Sequence, residues 1–173
     1  MSLLPAKDDQ AGWRTLFDEW NPRIRGYLHR MLPDSADAEE VAAEAFATAW
    51  RTSDRFTGGN VSTWLFGIAI NLARNRRRSW LRRLARFTGL TPEIPEGSVE
   101  DSADVDERAA LVRAAVQRLP EVLREPLILT AYSGMSHQEA ADTLGLTAKA
   151  VERRVASARE KLRAEFSGLG RSR

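Results

Sequence analysis

Residues 136–162 read SHQEAADTLGLTAKAVERRVASAREKL, and the fold follows from how this stretch is punctuated. Ser136 and Glu139 stand three apart ahead of an apolar pair, the signature of a capping box in which serine caps the first turn and glutamate reaches back. Ala140, Ala141 and Leu144 give a short helix one apolar face. Gly145 follows where a tight turn needs a residue tolerant of positive φ. Leu146 plugs the turn, and Thr147 caps a longer helix whose inward stripe is Val151, Val155, Ala158 and Leu162. A short capped helix, a small residue at Ala141, a glycine turn and a second amphipathic helix make the helix-turn-helix arrangement. In that arrangement the second helix enters the DNA major groove. Its outward face presents Ala148, Lys149, Glu152, Arg153, Ala156 and Ser157, with Arg154 and Arg159 alongside. Lysine and arginine suit guanine edges, glutamate accepts from cytosine, a small alanine admits a thymine methyl, and flanking arginines suit phosphates.

Outward from this stretch, apolar spacing is helical nearly everywhere, and no segment shows sustained period-two alternation. The expectation is an all-α chain of two small helical domains, at 11–87 and 109–167, joined by an acidic linker at 88–108. In the first domain, Trp13, Leu16, Phe17, Trp20, Ile24, Tyr27, Leu28 and Met31 keep three-and-four spacing, with Pro22 bending or restarting the helix. Asp34 and Ser35 mark a new start, and a helix over about 36–52 puts Asp37, Glu40 and Glu44 on one outer face. The turn Thr57-Gly58-Gly59-Asn60 precedes a third helix, capped near Ser62. Trp64, Leu65, Ile68 and Leu72 form its inward stripe, and Gly67, Asn71, Arg74, Asn75 and Arg78 its outer face. Over 88–102, prolines and glycines among acids end the periodicity. It resumes at Ala110, pauses at Pro120 and runs on to Gly134, with Pro126 kinking the last helix.

Charge is segregated. The net charge is only +2 on 173 residues, yet no acidic residue lies between Asp54 and Glu93, where eight arginines collect. Acids cluster on both sides, at 34–44 and 93–107. Separate surfaces for separate partners follow from that arrangement. The absence of cysteine excludes thiol catalysis and thiolate metal sites, and His29 and His137 are the only imidazoles. No glycine-rich phosphate loop or nucleophile elbow is present. An enzyme, a metal site and a cofactor are therefore not expected, nor is a membrane span or signal peptide, which places the chain in the cytoplasm.

Taken together, three fragments resemble the extracytoplasmic-function sigma factors, the smallest members of the sigma-70 class, over roughly Trp13 to Phe166. Asp37-Ala38-Glu39-Glu40-Val41 through Ala49-Trp50 is similar to the family's region 2.2. Thr63-Trp64-Leu65-Phe66 through Asn71-Leu72-Ala73 is similar to its passage from region 2.3 into 2.4. Leu119-Pro120 and the stretch from Ser136 to Leu162 are similar to region 4. The resemblance implies an alternative sigma factor that binds core RNA polymerase, recognises minus-ten and minus-thirty-five elements and directs melting. Asp37, Glu40, Glu44 and Trp50 would dock on the clamp helices of the β′ subunit, with the β flap as a further contact. Gly59, Asn60, Val61, Ser62, Asn71, Arg74, Asn75 and Arg78 would hold the melted minus-ten strand. Thr147, Ala148, Lys149, Glu152, Arg153, Arg154, Ala156, Ser157 and Arg159 would read the minus-thirty-five duplex. An anti-sigma factor is a further expected partner, and the acidic linker would occupy the polymerase's RNA path. Val61, Glu152 and Arg153 depart from the family's usual residues and imply altered base preferences. The competing reading is an autonomous dimeric helix-turn-helix regulator.

Overall fold

The computed structural model describes residues 4–88 and 107–169, so the acidic stretch 89–106 lies outside the described residues. Within them the chain is helical: α1 (Gln10–Met31), α2 (Ser35–Thr52), a one-turn 3-10 helix (Ser53–Arg55), α3 (Val61–Thr88), α4 (Glu107–Arg118), α5 (Glu121–Ala131), α6 (His137–Leu144) and α7 (Ala148–Leu169). None of these helices is long and apolar enough to cross a membrane.

Helix ends follow local chemistry. The Asp9 carboxylate accepts from Gly12 N–H and starts α1, which runs unbroken through Pro22. Asp34 caps α2 by accepting from Ala36 N–H at 2.7 Å. The cap of α3 is Asn60 rather than Ser62: the Asn60 amide oxygen accepts from both Ser62 N–H and Ser62 Oγ–H, at 2.9 and 2.7 Å. Both residue types cap well, and burial of Val61 chooses between them. With the helix starting at Val61, that side chain turns into the core.

α1, α2 and α3 form the first bundle. Ala38, Ala42, Ala45 and Ala49 line the inner face of α2 and let it lie close to its neighbours, against Ile24, Tyr27, Leu28, Phe66 and Ile70. The inward arc of α3 is rotated from the expected one. Leu65, Phe66, Ala69, Ile70 and Ala73 are buried, while Trp64, Ile68 and Leu72 are half-buried. The cause is that α3 has neighbours on two sides, α1 and α2 on one and α6 on the other. In the second bundle α5, α6 and α7 enclose Ile128, Leu129, Ala140, Ala141, Val151, Val155 and Ala158. The two bundles share one continuous core, because α1 packs on α4 and α5 while α3 packs on α6.

Candidate nucleic-acid interface

The helix-turn-helix forms as its residues dictate. Ser136 Oγ accepts from Glu139 N–H at 3.2 Å, and the Glu139 carboxylate accepts from Ser136 N–H at 2.9 Å. Those hydrogen bonds hold the Glu139 carboxyl below its ordinary range, the backbone N–H of Ser136 contributing most. Gly145 takes φ +66° and its N–H bonds back to Ala141. Thr147 Oγ accepts from Ala150 N–H and starts α7. Along α7, Val151, Val155 and Ala158 are buried, so Thr147, Lys149, Glu152, Arg153, Ala156, Ser157 and Arg159 stand in solvent, with Ala148 and Arg154 at the margin. Lys149 and Glu152 pair at 3.0 Å, so either must give up the other to meet a base.

The loop before α3 makes a second candidate site. Gly58 and Gly59 take φ near +103°, a conformation that side chains disfavour, and so fold the loop back over the start of the helix. A cleft of about 350 Å³ opens there, between Arg55, Phe56, Thr57, Gly58, Asn60, Thr63, Trp64 and Asp142. Trp64, expected in the core, packs half-buried against its edge, with its ring 5.2 Å from Phe56, and also lines this cleft. Gly59 and Asn60 are exposed beside it, but Val61 and Ser62 face inward at 2% and 4% exposure. Neither of those two side chains reaches the surface.

Along α3, Asn71, Asn75 and Arg78 are exposed, and the Arg78 guanidinium donates to Asn75 Oδ1. Arg74 is engaged differently. Its guanidinium makes a two-pronged contact with the Glu125 carboxylate of α5, at 2.7 and 2.6 Å, with Glu121 3.7 Å away.

On α2 the expected acidic face divides. Asp37 and Glu40 both accept from Arg76 of α3, at 2.5 and 2.8 Å, which raises the Arg76 pKa and lowers that of Glu40. Glu44 is exposed. Trp50 is half-exposed, its indole N–H donating to Lys7 O at 3.2 Å. Near it Phe17 and Phe46, 4.7 Å apart, continue an aromatic ridge across α1 and α2. The sequence reading placed Phe17 on the three-and-four spacing of α1 and gave it no docking role; the signal available for the ridge was the four-residue step from Phe46 to Trp50.

Two family models match this architecture in order, sigma-70 region 2 over residues 16–87 and sigma-70 region 4 over residues 109–162. A relative agrees: the ECF RNA polymerase sigma factor RpoE of Cereibacter sphaeroides is 33% identical over 171 residues, covering 92% of this chain and 88% of its own. The chain belongs to the sigma-70 family, among its ECF members. As an RNA polymerase sigma factor it directs transcription initiation, and it is not an enzyme. The autonomous dimeric regulator gives way to this identity, since region 2 is matched as fully as the helix-turn-helix. Among solved structures, CnrH in complex with the cytosolic domain of CnrY superposes with a TM-score of 0.73 at 29% identity, covering 93% of this sigma factor and 91% of that chain. The sigma factor RpoE of Bartonella quintana, in complex with the anti-sigma factor NepR, shares the fold with a TM-score of 0.74 at 24% identity, covering 92% and 98%.

Proposed function

We propose that this sigma factor holds its promoter at two places and the polymerase at two others. The cleft between the 55–60 loop and Trp64 supports the first most directly. It offers an aromatic wall, an amide at Asn60 and a guanidinium at Arg55 in one recess, the groups that hold a single unstacked base. Asn71, Arg74, Asn75 and Arg78 continue from it along α3 and would carry the sugar-phosphate chain of the melted minus-ten strand. The outer face of α7 would read the minus-thirty-five duplex, with Arg153 and Lys149 toward bases and Arg154 and Arg159 toward phosphates. Glu44, Trp50, Phe17 and Phe46 would dock on the β′ clamp helices. Asp37 and Glu40 support that surface by fixing α2 to α3. Region 4 would meet the β flap, and the work would be done in the cytoplasm, where polymerase is. An anti-sigma partner follows by analogy with the complex of the Bartonella quintana factor.

Run-off transcription with core polymerase on genomic fragments tests the whole reading, and permanganate footprinting of thymines tests the melting step. Asn60→Ala combined with Trp64→Ala should retain polymerase binding but lose permanganate-reactive thymines at the minus-ten element. Normal melting by that variant would refute the cleft's role.

A further inference from the structure

The strand-capture surface of α3 is occupied in this structure by the chain's own region 4. Glu125 meets Arg74 with both carboxylate oxygens, the geometry with which arginine meets a phosphate, and Glu121 stands 3.7 Å away. Glu139 accepts from the Asn60 amide at 3.3 Å, and Asp142 closes one wall of the cleft beside Trp64. Four carboxylates from α5 and α6 thus lie along the path assigned to the melted strand. We infer that region 4 acts as an internal mimic of the minus-ten strand, its Glu121, Glu125, Glu139 and Asp142 standing where phosphates and a base would lie, so that the free sigma factor masks its own site. This rests on the strand-capture reading above.

Two further observations support it. Around the apolar core that the bundles share, their seam carries polar groups that are incompletely satisfied. Arg23 donates to Ser133 O, Gln117 to Leu32 O at 2.9 Å, and Arg30 lies 4.1 Å over the Tyr132 ring. Yet Tyr27 OH, Arg124 Nε and Nη2, and Ser133 Oγ are buried with no protein partner. Buried polar groups left unsatisfied at the seam cost stability in the closed form that opening to water recovers. Size is the second observation. A closed chain of 173 residues spans on the order of 40 Å, whereas elements nominally about 25 base pairs apart lie on the order of 85 Å apart along duplex DNA. The closed form therefore cannot hold both elements. It leaves α7 open to duplex and withholds only the strand site.

The chain has no cysteine, so one cysteine placed at exposed Arg51 and one at exposed Arg159 label the two bundles for energy transfer. The free full-length protein should show a short distance. Glu125→Gln with Glu121→Gln should lengthen it and tighten binding of a single-stranded minus-ten oligonucleotide about tenfold, as the competent fraction rises. Arg74→Gln should lengthen the distance equally but not tighten the oligonucleotide. That second variant distinguishes opening of the seam from local unfolding of α5, which would follow only the Glu125 change. An unchanged distance in both variants overturns the masking, and so does opening of the Glu125→Gln, Glu121→Gln variant without any gain in its oligonucleotide affinity. Failure of the strand-capture reading shows elsewhere, as normal promoter melting by Arg74→Ala with polymerase.

Discussion

Arg76 shows how one side chain decides what its neighbours are free to do. It sits between Asp37 and Glu40, with only 22% of its side chain exposed and 18% of that of Asp37, so the three charges fasten α2 to α3. Arg76→Ala should cost about 1–2 kcal/mol in urea unfolding, because it leaves a largely buried carboxylate without its donor. Glu44→Ala should leave stability within about 0.5 kcal/mol and instead weaken capture of core polymerase in a pull-down. If the two variants exchanged these effects, the division of labour on α2 would be wrong. Glu139 gives a pH dependence with a definite sign. Its folded pKa is depressed below the ordinary value of 4.5, so its contribution is fully present above that value and is lost as pH falls through the folded pKa. In Glu139→Gln, unfolding midpoints measured below pH 5 should vary less with pH than in the parent. Asp37 and Glu139 were both picked out from sequence, Asp37 for docking and Glu139 for the capping box. What could not be seen were their second partners, Arg76 and Asn60, which lie 39 and 79 residues away.

At the scale of elements, the helix-turn-helix was fully legible because each signal in it is local: a cap, a small residue, a glycine, a second cap. Gly145→Ala tests the turn. At φ +66° with open space for 4 Å around where a Cβ would stand, the substitution meets no clash, so its cost should be the backbone strain alone, about 1 kcal/mol. The recognition proposed for α7 separates into two kinds of contact. Arg153→Ala should relax base preference at one promoter position, whereas Arg159→Ala should weaken binding to all sequences alike and shallow the salt dependence by about one unit, measured by footprinting of the holoenzyme. The α3 helix was less legible. Periodicity placed its helical span and its cationic outer side but misjudged the buried arc by about one residue. A single-face reading assumes one neighbour, and α3 has contacts on two sides. The displaced cap has the same origin, since whether Asn60 or Ser62 caps depends on where Val61 finds its core.

For the molecule as a whole, the order of the domains could be read from the chain, and their closure could not. Arg74 and Glu125 are 51 residues apart and each looks like an ordinary exposed helix charge until the bundles meet. Arg124 is the extreme case, wholly buried, with one bond to Gln117 O at 2.6 Å. Burial, with Arg77 adding its repulsion, pushes its pKa down to about 10, so it stays cationic at neutral pH in a place that disfavours charge. Arg124→Met should therefore raise the urea midpoint, as replacing a buried charge by an apolar chain of similar length commonly does by about 1–3 kcal/mol, and it should reduce run-off transcript at limiting protein. A lower urea midpoint would show that Arg124 stabilises the closed form. The incompletely satisfied arginine thus has a meaning at the level of the cell. On the proposed masking, a factor that is open only part of the time captures melted promoter strand as though it were scarcer by that fraction, so the discomfort of one guanidinium helps set the abundance at which this protein begins to redirect transcription.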